Sequence, residues 1–458
     1  MEYTDLFPTA RDPGTFKGVE ARVEVEPGTT PMSSRPRMVP HAMRAELRKN
    51  LQKLLDAGVI APTSSPGGFS LVLVRKKNGK LRICVDYCRL NNAFKKDRYP
   101  LPRLDHTLAK LQGKRWFSSL DLHQGFYQVP VRPSDRDILA FVTADGQYTY
   151  LKMPMGISTA PSIFQRSMDI MLAGMGSFVN VYLDDVLVAS VNWPEHMQHL
   201  RATLNRFRNS GARLSFVKCS WASESLLYLG HIIDTNGLHP NPAKIETILS
   251  APDPKSKKDV KRLIGLASFY HRFIPSFSQV TYPISSLLRK NTPFVWEEPQ
   301  KQAFAKLKEA LTSEPVLHHP DFDRDFLLKP DTSSDTIGAV LTQKDEEGHE
   351  HPIAFASRIM TDLEKKWSIM EREALALVYA VDVFKAYLYG RRFTVITDHR
   401  SLQHIHTQKD SQPRVMRWSL KLAIYEFEVQ HRAGASHLDA DAMSRPPIAQ
   451  LSEAPKPN

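Results

Sequence analysis

Two adjacent acids, Asp184 and Asp185, lie inside an apolar stretch that runs from Val179 to Ala189. The apolar residues on both sides predict two buried strands that meet at a tight turn. Like charges about 4 Å apart repel by roughly 1–4 kcal/mol at the dielectrics between bulk water and a protein surface, and a divalent cation would reverse that sign. The alternative is that an isolated Asp-Asp pair only marks a hairpin turn. The other acids and the cations in the chain decide between a metal site and a simple hairpin turn.

A third acid, Asp121, follows Phe117-Ser-Ser-Leu120 at the end of another predicted strand. Three carboxylates at strand ends can hold two Mg²⁺ ions, one lowering the pKa of an attacking hydroxyl and one stabilising a leaving phosphate. Oxygen ligands suit hard cations, with Mn²⁺ as a substitute, and nothing in the pattern suits a soft metal. The three acids therefore predict a two-metal centre for phosphoryl transfer.

A second group of acids lies farther along the chain. It consists of Asp331 and Asp398 at the ends of predicted strands, Glu373 at the start of a long predicted helix, and Asp441. Glu371 is the main alternative for the helix acid. Single acids at the ends of elements are more often caps than ligands, so the residues alone leave both roles open.

Positive charge is concentrated in two parts of the chain. The formal net charge is +12, and the windows 75–103 and 255–290 alone carry +8 and +7. Concentrated cations beside acid-bearing segments suit a polyanionic substrate that must lie against a metal centre. Two solvated faces of a basic protein are the alternative, and charge alone does not choose between them.

Composition narrows the class of protein. A length of 458 residues suggests about three globular units. The three cysteines cannot make a disulfide framework, and no Cys/His spacing matches a zinc site. No apolar run approaches the roughly 18 residues of a membrane span, and residues 1–13 lack a hydrophobic signal segment. We therefore expect an intracellular protein with no membrane partner.

Periodicity predicts the elements that must position these residues. Residues 41–60 and 195–211 have helical spacing of apolar residues, and Gly211 is the expected cap of the second helix. Strands 71–74 and 81–85, joined by Asn78-Gly79, predict a basic hairpin. Residues 255–290 and 300–313 are expected to be helical. From Asp321 onward the pattern becomes α/β, with strands 326–329, 337–343 and 393–397 around helix 371–389.

Ten segments then occur in a characteristic order. They are Leu54–Ile60, Arg82–Asn91, Tyr99–Pro102, Leu120–Gln128, Met153–Gly156, Ala160–Gln165, Tyr182–Asp185, Leu229–His231, Leu263–Phe273 and Ala440–Arg445. Over residues 41–446 the chain resembles the reverse transcriptase–ribonuclease H part of a Ty3/Gypsy-type long-terminal-repeat retrotransposon polyprotein, which is related to retroviral reverse transcriptases.

The resemblance implies a fold and an activity. The fold would be an α+β right-hand polymerase with fingers, palm and thumb, followed by an α/β ribonuclease H-like domain. The expected divisions are an extended arm (1–40), fingers and palm (41–240), thumb and linker helices (241–320), ribonuclease H (321–446) and a tail (447–458). The activity would be RNA- and DNA-templated DNA synthesis from a primer 3′-OH with dNTPs, together with cleavage of RNA in RNA–DNA hybrids.

The same resemblance assigns roles at the polymerase site. Asp121, Asp184 and Asp185 match the metal ligands. At the nucleotide site, Arg82 with Lys76 or Lys77 matches the cations that grip the triphosphate. Phe126 matches the ring that excludes the ribose 2′-OH, and Met155 matches a position where Phe is usual. Gln165 lies in the segment over the template–nucleotide pair. A core phenylalanine is the alternative for Phe126. Side chains matching nucleic-acid contacts are Leu229, Gly230 and His231 at the primer end, and Lys258, Lys261 and Arg262 on the thumb.

The resemblance also makes the second group of acids a ribonuclease H site with two metal ions. Its ligands would be Asp331, Glu373, Asp398 and Asp441. His431, ten residues before Asp441, lies where related domains carry a histidine on a mobile loop. Pro330 departs from the usual Thr before the first aspartate, and proline removes a ladder donor, which makes cleavage less secure than synthesis.

The implied partners are an RNA template, a DNA primer, an RNA–DNA hybrid and dNTPs, bound by a monomer or homodimer in a cytoplasmic retroelement particle. An RNA-directed RNA polymerase is a rival interpretation, but it would carry a small polar residue in place of Phe126. A catalytically inactive nucleic-acid-binding protein is another rival. All seven acids are present, which disfavours it. We expect the chain to be one product of a longer polyprotein.

Overall fold

The chain forms two compact units, Met1–Leu229 and Gly230–Asn458. The structure, a computed structural model, describes residues 2–8, 12–29, 32–35, 37–75, 79, 81–103, 107–108, 110–312, 316–400, 402 and 413–432. None of the helices in these ranges combines the length and apolarity that crossing a membrane requires.

The first unit is built on two β-sheets, one of five strands and one of four. Its helices are α1 (His41–Asp56), α2 (Cys88–Ala93), α3 (Ala160–Met171) and α4 (Trp193–Ser210). Its strands are β1 (Ile60–Pro62), β2 (Phe69–Arg75), β3 (Leu81–Val85), β4 (Trp116–Asp121), β5 (Phe141–Thr143), β6 (Gly146–Tyr150), β7 (Val179–Tyr182), β8 (Asp185–Ser190), β9 (Ser220–Ser223) and β10 (Leu226–Tyr228). One sheet has the order β1-β6-β5-β2-β3 and the other β7-β8-β4-β9.

Local sequence accounts for several of these elements. The predicted hairpin is confirmed, because β2 pairs antiparallel with β3 from Leu71 opposite Val85 to Arg75 opposite Leu81. Helix α4 begins after Asn192, whose side chain accepts the backbone N–H of Glu195, and ends at Gly211 with φ +74°. The predicted cap is thereby confirmed. A Cβ at position 211 would lie 2.3 Å from a backbone oxygen, so only glycine fits there.

The segment before α1 packs into the first unit. Leu6, Phe16, Ala21 and Val23 are buried in the same apolar core as the two sheets. Ala21 also forms an isolated bridge with Val131. The predicted arm is therefore extended over much of its length but is part of the core.

The second unit combines a helical half with a five-stranded sheet. Its helices are α5 (Pro242–Leu249), α6 (Lys257–Ser268), α7 (Phe277–Ser285), α8 (Glu298–Thr312), α9 (Ile369–Val383), α10 (Lys385–Leu388) and α11 (Pro413–Leu422). Its strands are β11 (His231–Ile233), β12 (Leu238–Pro240), β13 (Phe326–Thr332), β14 (Thr336–Lys344), β15 (Glu350–Ile359), β16 (Arg392–Thr397) and β17 (Glu426–His431). The sheet order is β15-β14-β13-β16-β17.

This sheet is antiparallel on one side of β13 and parallel on the other. Helix α9 packs on it, burying Ala374 and Leu377 against Phe326 and Leu328 of the central strand. The predicted helix 371–389 is in fact two helices, because the chain breaks at Phe384. The predicted helical region 255–290 is likewise divided into α6 and α7. Because β13 and β16 are parallel neighbours, their carboxyl ends lie at the same edge of the sheet.

Candidate active sites

Asp121 and Asp185 meet at the end of the four-stranded sheet. Asp121 is the last residue of β4, Asp185 is the first residue of β8, and the two are direct partners in the antiparallel register. Asp184 lies on the tight turn between β7 and β8, beside Leu183, which has φ +55°. Asp184 is exposed, whereas Asp121 and Asp185 are half-buried. The structure thus brings together the three acids that the sequence assigned to one centre.

The acids influence one another electrostatically. Burial raises the pKa of Asp185, and the charges of Asp184 and Asp121 raise it further, while Lys218 lowers it. The Lys218 ammonium lies 3.0 and 3.3 Å from the two carboxylate oxygens of Asp121. Three converging carboxylates with only one nearby ammonium among the described residues fit a hard divalent cation with oxygen ligands.

Gln165 occupies a different place from the one predicted. Its side chain on α3 is fully buried. Its Oε1 accepts the backbone N–H of Leu183 at 2.7 Å, and its Nε2 donates to Asp169 at 3.0 Å. The other carboxylate oxygen of Asp169 accepts the hydroxyl of Tyr99 at 2.7 Å. The prediction of nucleotide contact is therefore corrected, because the amide is used to hold the turn that carries the acids.

Phe126 lies on the 3₁₀ turn Gly125–Gln128, shortly after Asp121. Its half-buried ring packs against Phe164 with centroids 5.0 Å apart. A Cβ on Gly125 would lie 3.0 Å from the same Phe164 ring, so glycine allows the turn to approach α3 closely. The ring is anchored by the core and partly open to solvent, which suits a fixed steric barrier.

Two residues predicted at the nucleotide site lie side by side. Arg82 on β3 is exposed, and its guanidinium donates to the Met155 sulfur at 3.1 Å. Met155 is itself 38% exposed. Lys76 and Lys77, the other cations predicted here, lie outside the described residues.

The residues predicted to contact the primer and duplex separate into two kinds. Lys258, Lys261 and Arg262 are exposed on α6, while the opposite face of that helix is buried. His231 is 1% exposed, and its ring stacks on Phe269 at 5.0 Å and on Phe273 at 5.6 Å. The prediction that His231 contacts nucleic acid is corrected, because this ring is part of the apolar packing of the second unit.

The backbone around the predicted primer contact is unusual. Leu229 and Gly230 both have positive φ, +47° and +83°. A Cβ on Gly230 would lie 2.8 Å from the Phe269 ring. Glycine is therefore required at position 230 by both conformation and space.

The second candidate site surrounds Glu373 on α9. Asp331 lies near the end of β13, and Asp398 directly follows β16. Burial raises the pKa of Glu373 to about 7, and the charges of Asp331 and Asp398 add to the rise. The Thr332 hydroxyl donates to Glu373 Oε1 at 2.6 Å, whereas the buried Oε2 has no hydrogen-bond partner among the described atoms. A buried carboxylate oxygen under the influence of two other acids fits a cation ligand.

Glu371, the alternative helix acid, has a different role. It completes a capping box with Ser368 at the start of α9, accepting the Ser368 backbone N–H at 3.0 Å. Its second oxygen accepts a bond from Arg414 at 2.6 Å. Glu371 is therefore fully occupied in holding the helix start, which leaves Glu373 as the acid at the site.

Three further predictions at this site concern His431, Pro330 and Asp441. His431 is the last residue of β17, and its Nε2 lies 3.0 Å from the Asp398 carbonyl oxygen, so it belongs to the sheet. Pro330 is in the central strand β13, opposite Ala339 of β14, and the parallel ladder between β13 and β16 ends two residues earlier, at Leu328. Asp441 lies outside the described residues.

Sequence reasoning missed Lys218 and Thr332. Lys218 is 97 residues from the carboxylate it contacts, and no local pattern marks it. Thr332 directly follows Asp331, and its proximity to the helix acid depends on the packing of α9 on β13. Neither contact can be predicted from the periodicity of the sequence.

Comparison with known proteins identifies two domains in the chain. Residues 74–233 match a family described as reverse transcriptase (RNA-dependent DNA polymerase), and residues 321–425 match the RNase H-like domain found in reverse transcriptase. The retrovirus-related Pol polyprotein from transposon 297 of Drosophila melanogaster is 34% identical over 87% of this chain and 38% of that relative. The Tf2-3 transposon polyprotein of Schizosaccharomyces pombe is 33% identical over 95% of this chain and 33% of that relative.

Solved structures show the same fold. A foamy viral protease–reverse transcriptase in complex with an RNA/DNA hybrid matches with a TM-score of 0.83 and 20% identity over 100% of this chain and 62% of that one. The complex of such a protein with double-stranded DNA matches with a TM-score of 0.84 and 21% identity over 94% of this chain and 91% of that one.

The fold and sites define a right-hand polymerase followed in sequence by an RNase H-like domain, and the predicted fold class is confirmed. The chain belongs to the reverse transcriptases of Pol polyproteins from Ty3/Gypsy-type transposons. It spans only about a third of the length of these curated relatives.

Proposed function

We propose that this protein synthesises DNA on RNA and DNA templates from a primer 3′-OH with dNTPs, and that its second unit cleaves the RNA strand of RNA–DNA hybrids. The observation that carries the first activity is the register pairing of Asp121 with Asp185 beside the turn that bears Asp184. The buried Glu373, whose pKa is raised in part by the charges of Asp331 and Asp398, supports the second.

The proposed cofactor is Mg²⁺, with two ions at each site and Mn²⁺ as a substitute. Bound divalent cations lower the pKa of an attacking hydroxyl and neutralise charge on the phosphate and leaving group. Asp121, Asp184 and Asp185 would hold them at the polymerase site. Residues that would hold them at the hybrid-cleavage site are Asp331, Glu373, Asp398 and Asp441.

The chain's own residues would orient the substrates around the first site. The exposed Arg82 guanidinium, beside Met155, would grip the triphosphate through charge-assisted hydrogen bonds. The anchored Phe126 ring would occupy the space of a ribose 2′-OH and so reject ribonucleotides. The exposed cations of α6 would contact the duplex backbone, a term that weakens with salt.

Partners and location follow as parts of the same proposal. The proposed ligands are an RNA template, a DNA primer, an RNA–DNA hybrid and dNTPs, and foamy viral relatives of the same fold are known with a hybrid and with double-stranded DNA. We place the protein in a cytoplasmic retroelement particle, acting as a monomer or homodimer within the replication of a retrotransposon.

The decisive experiment scores synthesis and cleavage separately. Asp185→Asn should abolish Mg²⁺-dependent extension of a primed RNA template while leaving cleavage of a labelled hybrid within about twofold. Asp398→Asn is the matched control, because the same chemical change at the other site should have the opposite effect. DNA synthesis retained by Asp185→Asn would contradict the assignment, and so would loss of both activities in both variants with folding intact.

A further inference from the structure

A run of buried hydrogen bonds crosses the face of the β7-β8-β4-β9 sheet that α4 covers. His196 on α4 is fully buried, with Nε2 2.8 Å from Ser118 Oγ and Nδ1 2.9 Å from Ser190 Oγ. Ser118 is on β4 and Ser190 ends β8. Ser190 Oγ also lies 2.8 Å from Nδ1 of His199, whose ring stacks on Phe178 with centroids 3.8 Å apart.

The run extends to β9 at a bulge. The pairing of β4 with β9 shifts register between Phe117 and Ser119, and Ala222 on β9 has φ +46°. The backbone N–H of Ala222 donates to Ser118 Oγ at 2.8 Å. A side-chain hydroxyl therefore replaces the ladder bond that the bulge removes. We call Ala222, Ser118, His196, Ser190 and His199 together the His196 chain.

Donor counting gives the His196 chain one satisfactory direction. Ser190 has a single hydroxyl proton and meets a nitrogen from each of two rings, so it must donate to one and accept from the other. If His196 donates from Nδ1, Ser190 can donate to His199, and the Ser118 hydroxyl can donate to His196 Nε2. Every group is then satisfied, and the remaining His199 N–H points toward Glu195 Oε1 at 3.7 Å.

The opposite direction fails at both ends. His196 would then donate from Nε2 to Ser118, which already accepts the Ala222 N–H, and the Ser118 proton would have no acceptor among the described contacts. The lone pair of His199 Nε2 would also face the Glu195 carboxylate. An unsatisfied buried donor is costly, so we assign His196 as the neutral Nδ1–H tautomer.

The carboxylates lie on the other face of the same strands. Ser118 precedes Asp121 by three residues, and Ser190 follows Asp185 by five. Because side chains alternate along a strand, odd separations place them on opposite faces. We propose that His196 is a positioning residue of the polymerase site, acting through the His196 chain to fix β4, β8 and β9 so that Asp121 and Asp185 stay paired.

Register is what the His196 chain would protect. A slip of one residue turns every side chain to the opposite face, and the β4–β9 bulge already weakens the ladder on one side of β4. The hydrogen bonds of the His196 chain connect β4 to β9 through Ser118, and connect β4 to β8 through His196 and Ser190. The inference rests on the proposed function, because it takes Asp121 and Asp185 as metal ligands.

The test measures Mn²⁺ binding to metal-free protein by electron paramagnetic resonance, alongside thermal unfolding. All proteins carry Glu373→Gln, so that the polymerase site dominates binding. We expect His196→Leu and Ser118→Ala to weaken Mn²⁺ binding about tenfold, the range seen when groups that orient metal ligands are removed. Thr203→Val is the matched control. Among the described residues, this buried hydroxyl on α4 bonds only to a carbonyl of its own helix, so binding should stay within twofold.

A second readout needs no substitution. Nitrogen-15 NMR of histidine-labelled protein should show His196 as the neutral Nδ1–H tautomer, and the Nε2–H tautomer would overturn the assigned direction. Folded Ser118→Ala protein with unchanged Mn²⁺ affinity would overturn the positioning role, even if it unfolds at lower temperature. If neither variant folds, the tautomer decides. Active Asp185→Asn protein would instead overturn the proposed function, which keeps the two failures distinct.

Discussion

Glu371 and Glu373 are two residues apart on α9, and we expect their substitution to have opposite consequences. Both side chains are buried, at 6% and 7% exposure. Glu371 accepts bonds from Ser368 and Arg414, whereas one oxygen of Glu373 has no hydrogen-bond partner among the described residues. Removal of the first should cost stability and spare metal binding. Removal of the second should abolish metal binding and increase stability.

The loss at Glu371 can be estimated from its contacts. Glu371→Ala removes the capping box at the start of α9, worth about 0.5–2 kcal/mol, and an ion pair with the partly exposed Arg414, worth about 0.2–1 kcal/mol. The free energy of unfolding should therefore fall by about 2 kcal/mol. For a unit of this size that corresponds to a decrease of roughly 4–8 °C in melting temperature.

The gain at Glu373 depends on pH. Its pKa is raised from 4.5 to about 7, so the folded state binds more protons than the unfolded state between those values. The free energy of unfolding of metal-free protein therefore falls as pH rises from about 4.5 to about 7. At about 1.4 kcal/mol per unit, the ionised group costs about 3 kcal/mol at pH 8. Glu373→Gln should remove that cost at pH 8 and change little at pH 5.

The assay combines calorimetry in EDTA at pH 5 and pH 8 with Mn²⁺ titration and hybrid cleavage. An Asp185→Asn background keeps the polymerase site from masking the second site. Ser368→Ala is the matched control for Glu371→Ala, because it breaks the same capping box from the other side. The reasoning is refuted if Glu371→Ala abolishes Mn²⁺ binding in folded protein, or if Glu373→Gln is less stable than the parent at pH 8.

Two further predictions concern the polymerase site. Phe126→Ala should raise the ratio of rNTP to dNTP incorporation, measured as kcat/KM, by at least about tenfold because the ring no longer fills the 2′-OH position; equal use of both nucleotides by the unaltered protein would contradict this. Gln165→Leu should lower kcat for dNTP addition about tenfold with little change in KM, because it releases the Leu183 turn and touches no nucleotide. Gln128→Leu removes another buried amide, bonded elsewhere, and should leave kcat nearly unchanged.

The sequence was most informative where one residue or turn dictates the local backbone. The apolar flanks of Asp184-Asp185 predicted the β7–β8 turn, and Gly211 predicted the end of α4, because few other backbone arrangements suit those residues. Strand β15 was missed. Its start, Glu350-His-Pro, lacks apolar alternation, and its buried face is completed by β14. Tertiary pairing supplies what local periodicity does not.

Side-chain roles were harder to predict because a motif gives a position along an element and not the surface that it faces. Gln165 and His231 were both expected at substrate-contacting surfaces, and both are buried. One holds the turn beneath the acids, and the other is covered by aromatic rings. Lys218 was not expected, although it contacts Asp121 directly. In each case the deciding partner is distant in sequence.

Repulsion among carboxylates must be offset at both sites, but the two groups of acids differ in their exposure to solvent. Asp184 is exposed and Lys218 offsets Asp121, so water and one ammonium share the stabilisation of the first site. Glu373 is buried, with one oxygen that no described residue bonds, and its pKa of about 7 means that a proton satisfies it near neutrality. A cation entering the second site must therefore displace that proton, whereas a cation at the first must compete with Lys218. Acidification should consequently oppose metal binding more at the hybrid-cleavage site than at the polymerase site.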